Sequence, residues 1–309
     1  MRLRLTIRPL QKPCSITLNY NYYLSSAIYR WIEASSPEYS ALLHERGFQP
    51  EGMMRRFKHF CFSQLMVEKR QVREGRLHIL SPIITWYVGM PVEESLQHFV
   101  FGLFEKQHFF IELPDIRFAV EQVEALPEPV WTSPMRFRML SPVTVSVPID
   151  RTSVSPDGRT KLSAQYLLPD DPHLSEALRN NIINKYNSLC DSGSQSEPQD
   201  SRRSNNPGDG SGDSSYMFSC RFDEKFITDR GGPGKITKLI TIRERQEGET
   251  KVRGFMCPLT IEGDVRLIRL AYESGLGEKN SMGFGMIEYR VHSAHPFEKQ
   301  HSSQTAGRR

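Results

Sequence analysis

The stretch GLGEKNSMGFGMIE, Gly275 to Glu288, sets its glycines in two Gly-apolar-Gly pairs, Gly275 with Gly277 and Gly283 with Gly285. Glycines so spaced free the backbone for positive φ and remove the side chains that would hold a phosphate at a distance. Between the pairs lie Lys279, Asn280 and Ser281, a cation, an amide and a hydroxyl suited to a polyanion. A loop of this kind between a helix and a strand can hold a nucleic-acid backbone through N–H groups and one charge.

The flanks of the loop supply that setting. Residues 264–274 read as a helix and residues 284–291 as a strand. Earlier in the same half, MRFRMLSPVTVSV, beginning at Met135, echoes the opening RLRLTIRPL. A helix over 173–189 follows, then strands around 216–226, 236–245 and 251–256. The first half has the same order. Residues 2–8 alternate as a half-buried strand, and Leu24, Ala27, Ile28, Trp31 and Ile32 line one face of a helix over 21–34. Ser36 and Pro37, a cap and a first-turn proline, open a short helix that stops at Gly47. Strand-like runs fill 57–88, Leu96, Phe99, Val100 and Leu103 mark another helix, and 109–126 is extended. Both halves read β-α-β-β-α-β, which predicts an α+β protein of two tandem ferredoxin-like (RRM-like) domains. The expected boundaries are 1–127 and 135–292, with 128–134 as linker. Residues 191–215, rich in Ser, Gly, Asp, Asn and Pro, read as a disordered insertion, and 293–309 as a disordered tail.

Charge is nearly balanced, 40 basic against 36 acidic residues, so a polyanion site has to come from clustering. One cluster stands out: Arg55, Arg56, Lys58 and His59, followed by Lys69, Arg70, Arg73 and Arg76. The five cysteines are widely spaced without a C-x-x-C, which suits reduced thiols in a cytoplasmic protein and excludes a disulfide framework or zinc site. The apolar–basic alternation of MRLRLTIRPL reads as a strand rather than a signal peptide, and no apolar run reaches the length of a membrane span. GGPGKIT, Gly231 to Thr237, departs from a phosphate loop, with Asp229 at the first glycine position and Ile236 after the lysine. No carboxylate cluster suggests two-metal chemistry, and neither metal nor cofactor is expected.

Three side chains are candidates for chemistry. Tyr29 lies off the apolar stripe of the first helix, either as a surface tyrosine over the sheet edge or as a phenol left to meet a ligand. His44 comes just before the stop glycine Gly47, where free carbonyls favour imidazolium. Lys58 opens a strand-like run between Phe57 and Phe60. A phenol, an imidazole and an ammonium are the parts for RNA cleavage by the ribose 2′-OH: one removes its proton, one protonates the departing 5′ oxygen, and a cation steadies the phosphorane.

With the glycine loop, the tandem βαββαβ order and the segment YRWIEASSPEYSALLHERGF in hand, the chain resembles the CRISPR-associated endoribonucleases that process repeat RNA, the sixth Cas family of the RAMP superfamily. The resemblance implies metal-independent cleavage that leaves a 2′,3′-cyclic phosphate and a 5′-hydroxyl. It also implies CRISPR repeat RNA as partner, with other Cas subunits of an interference complex as further partners. The family's catalytic tyrosine, histidine and lysine fall on Tyr29, His44 and Lys58. GFQPEGMMRR is a longer loop than the pattern needs, so Arg55, Arg56 and Lys69 are alternatives for the cation. RNA contacts are expected from Arg55, Arg56, Lys69 and Arg70, and from Gly277, Lys279, Asn280, Ser281 and Gly283 in the loop. A non-catalytic RNA-binding subunit on the same fold is the competing reading.

Overall fold

In the computed structural model, residues 1–154, 160–191 and 216–290 are described. The expected insertion, apart from Asp191, and the expected tail lie outside them. No helix among the described residues is long and apolar enough to cross a membrane, and no disulfide joins the cysteines.

The first half opens with strands β1 (Arg2–Pro9) and β2 (Cys14–Thr17), then helices α1 (Asn21–Ser35) and α2 (Pro37–Ala41). Short strands β3 (Cys61–Phe62), β4 (Met66–Val67), β5 (Arg70–Arg73) and β6 (Arg76–Ile79) precede β7 (Ile84–Gly89). Helix α3 (Glu93–Glu105) and strands β8 (His108–Phe110) and β9 (Arg117–Ala125) complete it. The main sheet is antiparallel, ordered β3-β7-β1-β9-β8, with β4 also on β7. Alternation places Leu3, Leu5 and Ile7 of β1 inward, and the predicted α1 stripe is buried. Helices α1 and α3 touch so closely that a Cβ on Gly102 would collide with the Trp31 carbonyl.

The second half runs β10 (Met135–Met139), β11 (Ser146–Val154), β12 (Thr160–Tyr166), α4 (Leu174–Asp191), β13 (Phe218–Phe222) and α5 (Glu224–Asp229). It continues with β14 (Thr237–Ile242), β15 (Thr250–Phe255), β16 (Leu259–Gly263), α6 (Val265–Ser274) and β17 (Ile287–Tyr289). Its antiparallel sheet is ordered β13-β16-β10-β17. Numbering the principal strands of each half in sequence, both sheets read second, third, first, fourth, with helical crossovers after the first and third.

The last strand, expected over 284–291, is the short β17 among the described residues, and three other expected strands of this half differ. The run at 216–226 ends at β13, because Asp223 caps α5 by accepting from Phe226 N–H at 2.9 Å. The runs at 236–245 and 251–256 form β14 and β15, a separate hairpin, and the third strand of the sheet is instead the short β16. The halves share one core. Arg2 fastens them: its buried guanidinium lies 3.4 Å over the Tyr272 ring and donates to the Tyr272 and Ile287 carbonyls.

Candidate active site

Beyond α2 the helix widens into one turn over Leu42–Arg46, where Gly47 N–H donates to Leu42 O at 2.9 Å, five residues back. Such wide turns are rare and recur at functional sites. Gly47 ends the turn at φ 60°, and a Cβ there would press on the Phe57 carbonyl.

His44 sits exposed in this turn. Its ring meets Tyr29 edge-on, centroids 5.3 Å apart, and Tyr29 meets Phe60 edge-on at 5.5 Å. Lys58 reaches back from the following segment, and its ammonium donates to the carbonyls of Leu43 and His44. All three sequence candidates therefore share one turn. Tyr29 stands off the apolar stripe, as read from the sequence, yet Phe60 half covers it. Burial pushes its phenol well above the usual range, so the proton stays on at neutral pH. Burial, and then the Arg56 charge, lower the Lys58 ammonium. Its two carbonyl bonds cap the helix end as a cation there does.

Arg55 and Arg56 line a cavity of about 260 Å³ beside Lys58, Lys185 and Lys279. Arg55 is ion-paired with Glu278, which also accepts from the Ser146 hydroxyl at 2.9 Å. Arg56 donates to Glu45 O at 2.6 Å. Lys69 and Arg70 are not brought to this cavity. They open the β5–β6 hairpin, where Arg70 donates to Val67 O at 2.6 Å. Arg70 neighbours Lys238 on β14, whose ammonium is lowered by burial and then by the Arg70 charge.

The glycine loop closes the cavity from the second half. Lys185 on α4 is buried, and its ammonium donates to Gly275 O at 2.6 Å, Gly277 O at 2.8 Å and Asn280 Oδ1 at 2.6 Å. Burial lowers its pKa to about 7. Asn280 departs from the sequence expectation. Its amide faces inward, donating to Leu276 O at 3.2 Å and Phe284 O at 3.1 Å, so it holds the loop's shape. The glycines have a packing reason too. At Gly277 a Cβ would press on the Thr144 carbonyl, and at Gly283, φ 78°, it would strike the Phe62 ring and the Asn21 amide. That amide donates to Met282 O at 2.9 Å and Gly283 O at 3.2 Å, docking the loop on α1.

What the loop leaves open is N–H groups. Those of Gly277, Lys279, Asn280 and Ser281 have no protein acceptor among the described residues. Lys279 is left-handed (φ 54°, ψ 32°) and leads into the helical turn Asn280–Met282. Left-handed then right-handed backbone curls successive N–H groups into an anion-binding concavity. The loop therefore presents backbone donors and the Lys279 and Ser281 side chains, while its other polar atoms hold it together.

The sequence reading missed Asn181, Lys185 and Ser188. They fall at i, i+4 and i+7 on the same helix as the buried Leu178, Ile182 and Leu189. Polar residues at core-facing spacing were the available signal.

Two family models match successive parts of the chain: "CRISPR-associated protein Cas6, N-terminal" over residues 15–124 and "CRISPR associated protein Cas6, C-terminal" over residues 126–289. The "CRISPR-associated endoribonuclease Cas6 1" of Methanocaldococcus jannaschii is 28% identical over 275 residues, covering 88% of this chain and 86% of its own. The "CRISPR-associated endoribonuclease Cas6" of Pyrococcus furiosus is 25% identical over 290 residues, covering 93% of this chain and 88% of its own. A solved structure reported as "Characterization of a Cas6-related gene from Pyrococcus furiosus" superposes with a TM-score of 0.70 at 23% identity, covering 94% of this chain and 99% of that one.

Proposed function

Because this chain belongs to the Cas6 family of CRISPR-associated proteins, we propose that it is a metal-independent endoribonuclease cutting CRISPR repeat RNA into guide RNAs. The ribose 2′-OH attacks the adjacent phosphorus, forming the 2′,3′-cyclic phosphate as the bond to the 5′ oxygen breaks. The observation that carries the reading is the meeting of Tyr29, His44 and Lys58 at one turn. His44, exposed, takes the acid–base role. Tyr29, keeping its proton, positions the imidazole and donates a hydrogen bond. Lys58 has spent two of its three ammonium donors on carbonyls, and the third serves a non-bridging phosphate oxygen. The N–H groups and Lys279 of the glycine loop hold the RNA backbone across the cavity, with Ser281 beside them.

The same reading makes each half a ferredoxin-like domain, at 1–127 and 135–292, with linker 128–134. The matching strand orders support it, as does the junction of the two family models at 124/126. Its setting is the cytoplasm, and its partners are repeat RNA and other Cas subunits.

The structural duties of Lys58 and the burial of Tyr29 favour a second reading, an RNA-binding subunit that does not cut. Labelled repeat RNA incubated in EDTA, beside a strand with 2′-deoxy at the scissile nucleotide, separates the two. Single-site cleavage of the all-RNA strand alone supports the enzyme. Tight binding of both strands without cleavage sinks it.

A further inference from the structure

The cavity between residues 55–60 and the glycine loop carries a second set of anomalies that the cleavage reading does not use. Asn181 forms part of its wall at 4% exposure, and neither amide atom has a hydrogen-bond partner among the described residues. An unmade pair of bonds on a buried amide costs about 1–3 kcal/mol per group. His59, also in the wall, holds a strained φ of 48°, and its Nδ1 lacks a partner as well. Non-glycine residues in that region cost about 1–3 kcal/mol and gather at functional sites.

Hydrogen bonding fixes the state of the imidazole. Ser188 spends its one proton on Lys185 O at 2.8 Å, so its oxygen must accept from His59 Nε2–H, also at 2.8 Å. Burial, and then the Lys185 charge, lower the His59 pKa to about 3, which keeps the ring neutral. Nδ1 is therefore a bare acceptor. Apart from Lys279 on the loop, the cations around it are held: Arg55 by Glu278, Arg56 by Glu45 O, Lys58 by the wide turn and Lys185 by the loop. Apart from the open donors of the glycine loop and the third Lys58 donor, the capacity left in this wall is one neutral acceptor and one carboxamide. That set suits a polar heterocycle and does not suit a phosphate.

We propose that this cavity receives one unstacked base of the RNA, read by the Asn181 carboxamide and His59 Nδ1, a proposal that rests on the RNA-processing reading above. Single-stranded RNA is read in this way, by bases splayed out and hydrogen-bonded on their edges. Because the Asn181 amide makes no bond, turning it toward a base breaks none. A carboxamide meets adenine at N6 and N7 with two hydrogen bonds, and the second amino N–H that adenine keeps is the donor that the bare His59 Nδ1 needs. The open N–H groups of Lys279, Asn280 and Ser281, beside the same cavity, are placed for the phosphate of the inserted nucleotide.

The test is selection of a randomised-sequence RNA pool by the wild-type protein and by Asn181→Leu, with bound and cleaved species sequenced. Thermal melting accompanies it, and Asn181→Ala covers overpacking by leucine. The expected result is enrichment of adenine at one position by wild type. The variants lose roughly 5- to 150-fold of that preference, the discrimination one amide–base pair supplies, and keep their preferences elsewhere. The leucine variant melts no lower than wild type, since an orphaned amide has given way to an apolar group of similar size. Unchanged base preferences in both variants, with cleavage intact, would overturn this inference alone. A wild-type protein that neither binds nor cuts RNA would overturn the functional reading and this inference with it.

Discussion

Tyr29 and His44 are set apart by a few ångströms of environment. The phenol lies between the His44 and Phe60 rings, and burial holds its proton on, whereas the imidazole is open to solvent. A phenol that keeps its proton leaves the proton-transfer task to the exposed imidazole. His44→Ala is therefore expected to slow cleavage by about 10²–10⁴-fold while RNA binding is kept, as single-turnover rates and filter binding would record. Tyr29→Phe retains the ring edge against His44 and removes only the hydroxyl. It should lower the rate and leave the rising limb of the pH–rate profile unmoved. A displaced limb would mean that the phenol itself titrates in the reaction. His44 and Tyr29 were legible in the sequence because each breaks a helical pattern. The double duty of Lys58 was not legible, since its partners are carbonyls set by a turn rather than by side-chain identity.

The element that shapes the site is α4 rather than the loop it supports. Lys185 gathers two loop carbonyls and Asn280 onto one ammonium, and the loop glycines then fit against Thr144, Phe62 and Asn21. Lys185→Met leaves those acceptors without a donor, at about 1–3 kcal/mol each. The variant should melt lower and bind RNA more weakly. Stability against pH gives the sign. An ammonium at about 7 in the folded chain, against an ordinary 10.5, binds fewer protons folded than unfolded between those values. Stability from this group therefore rises with pH across that window. Urea titrations from pH 7 to 10 should show wild type gaining on Lys185→Met, and parallel curves would contradict the burial of the charge. Gly283→Ala adds about 1–2 kcal/mol of left-handed strain to a clash with Phe62. It should lower the urea midpoint even without RNA, which a glycine kept only for phosphate approach would not do. Strong periodicity made α1, α3 and β1 readable from the sequence. The third strand of the second sheet escaped because β16 is only five residues long and the longer alternating runs before it form their own hairpin.

For the molecule as a whole, one core and the buried Arg2 clamp join the two halves, and the basic residues divide between two places. Around the cavity, Arg55 is neutralised by Glu278 and Arg56 is held by a carbonyl. On the hairpin side, Lys69 and Arg70 are exposed, and Arg70 lies near Lys238, whose ammonium is depressed by burial and by the Arg70 charge. The sequence grouped Arg55, Arg56, Lys69 and Arg70 into one run. Only the fold separates them, because the β5–β6 hairpin turns the second part of the run away from the cavity. A cation already paired within the protein releases few counterions when RNA arrives, whereas an exposed one meeting a phosphate releases its full share. Single-strand affinity falls with log salt at a slope of about 0.7 per phosphate contact. If the RNA runs from the cleavage turn across the hairpin, Arg70→Ala should flatten that slope by about 0.7 and leave the saturated cleavage rate unchanged. Arg55→Ala should change the slope by less, because Glu278 loses its partner at the same time. Binding titrations from low to high salt would measure both. An Arg70 variant with the wild-type slope would place the RNA on another face and confine the basic run's contribution to the cavity side.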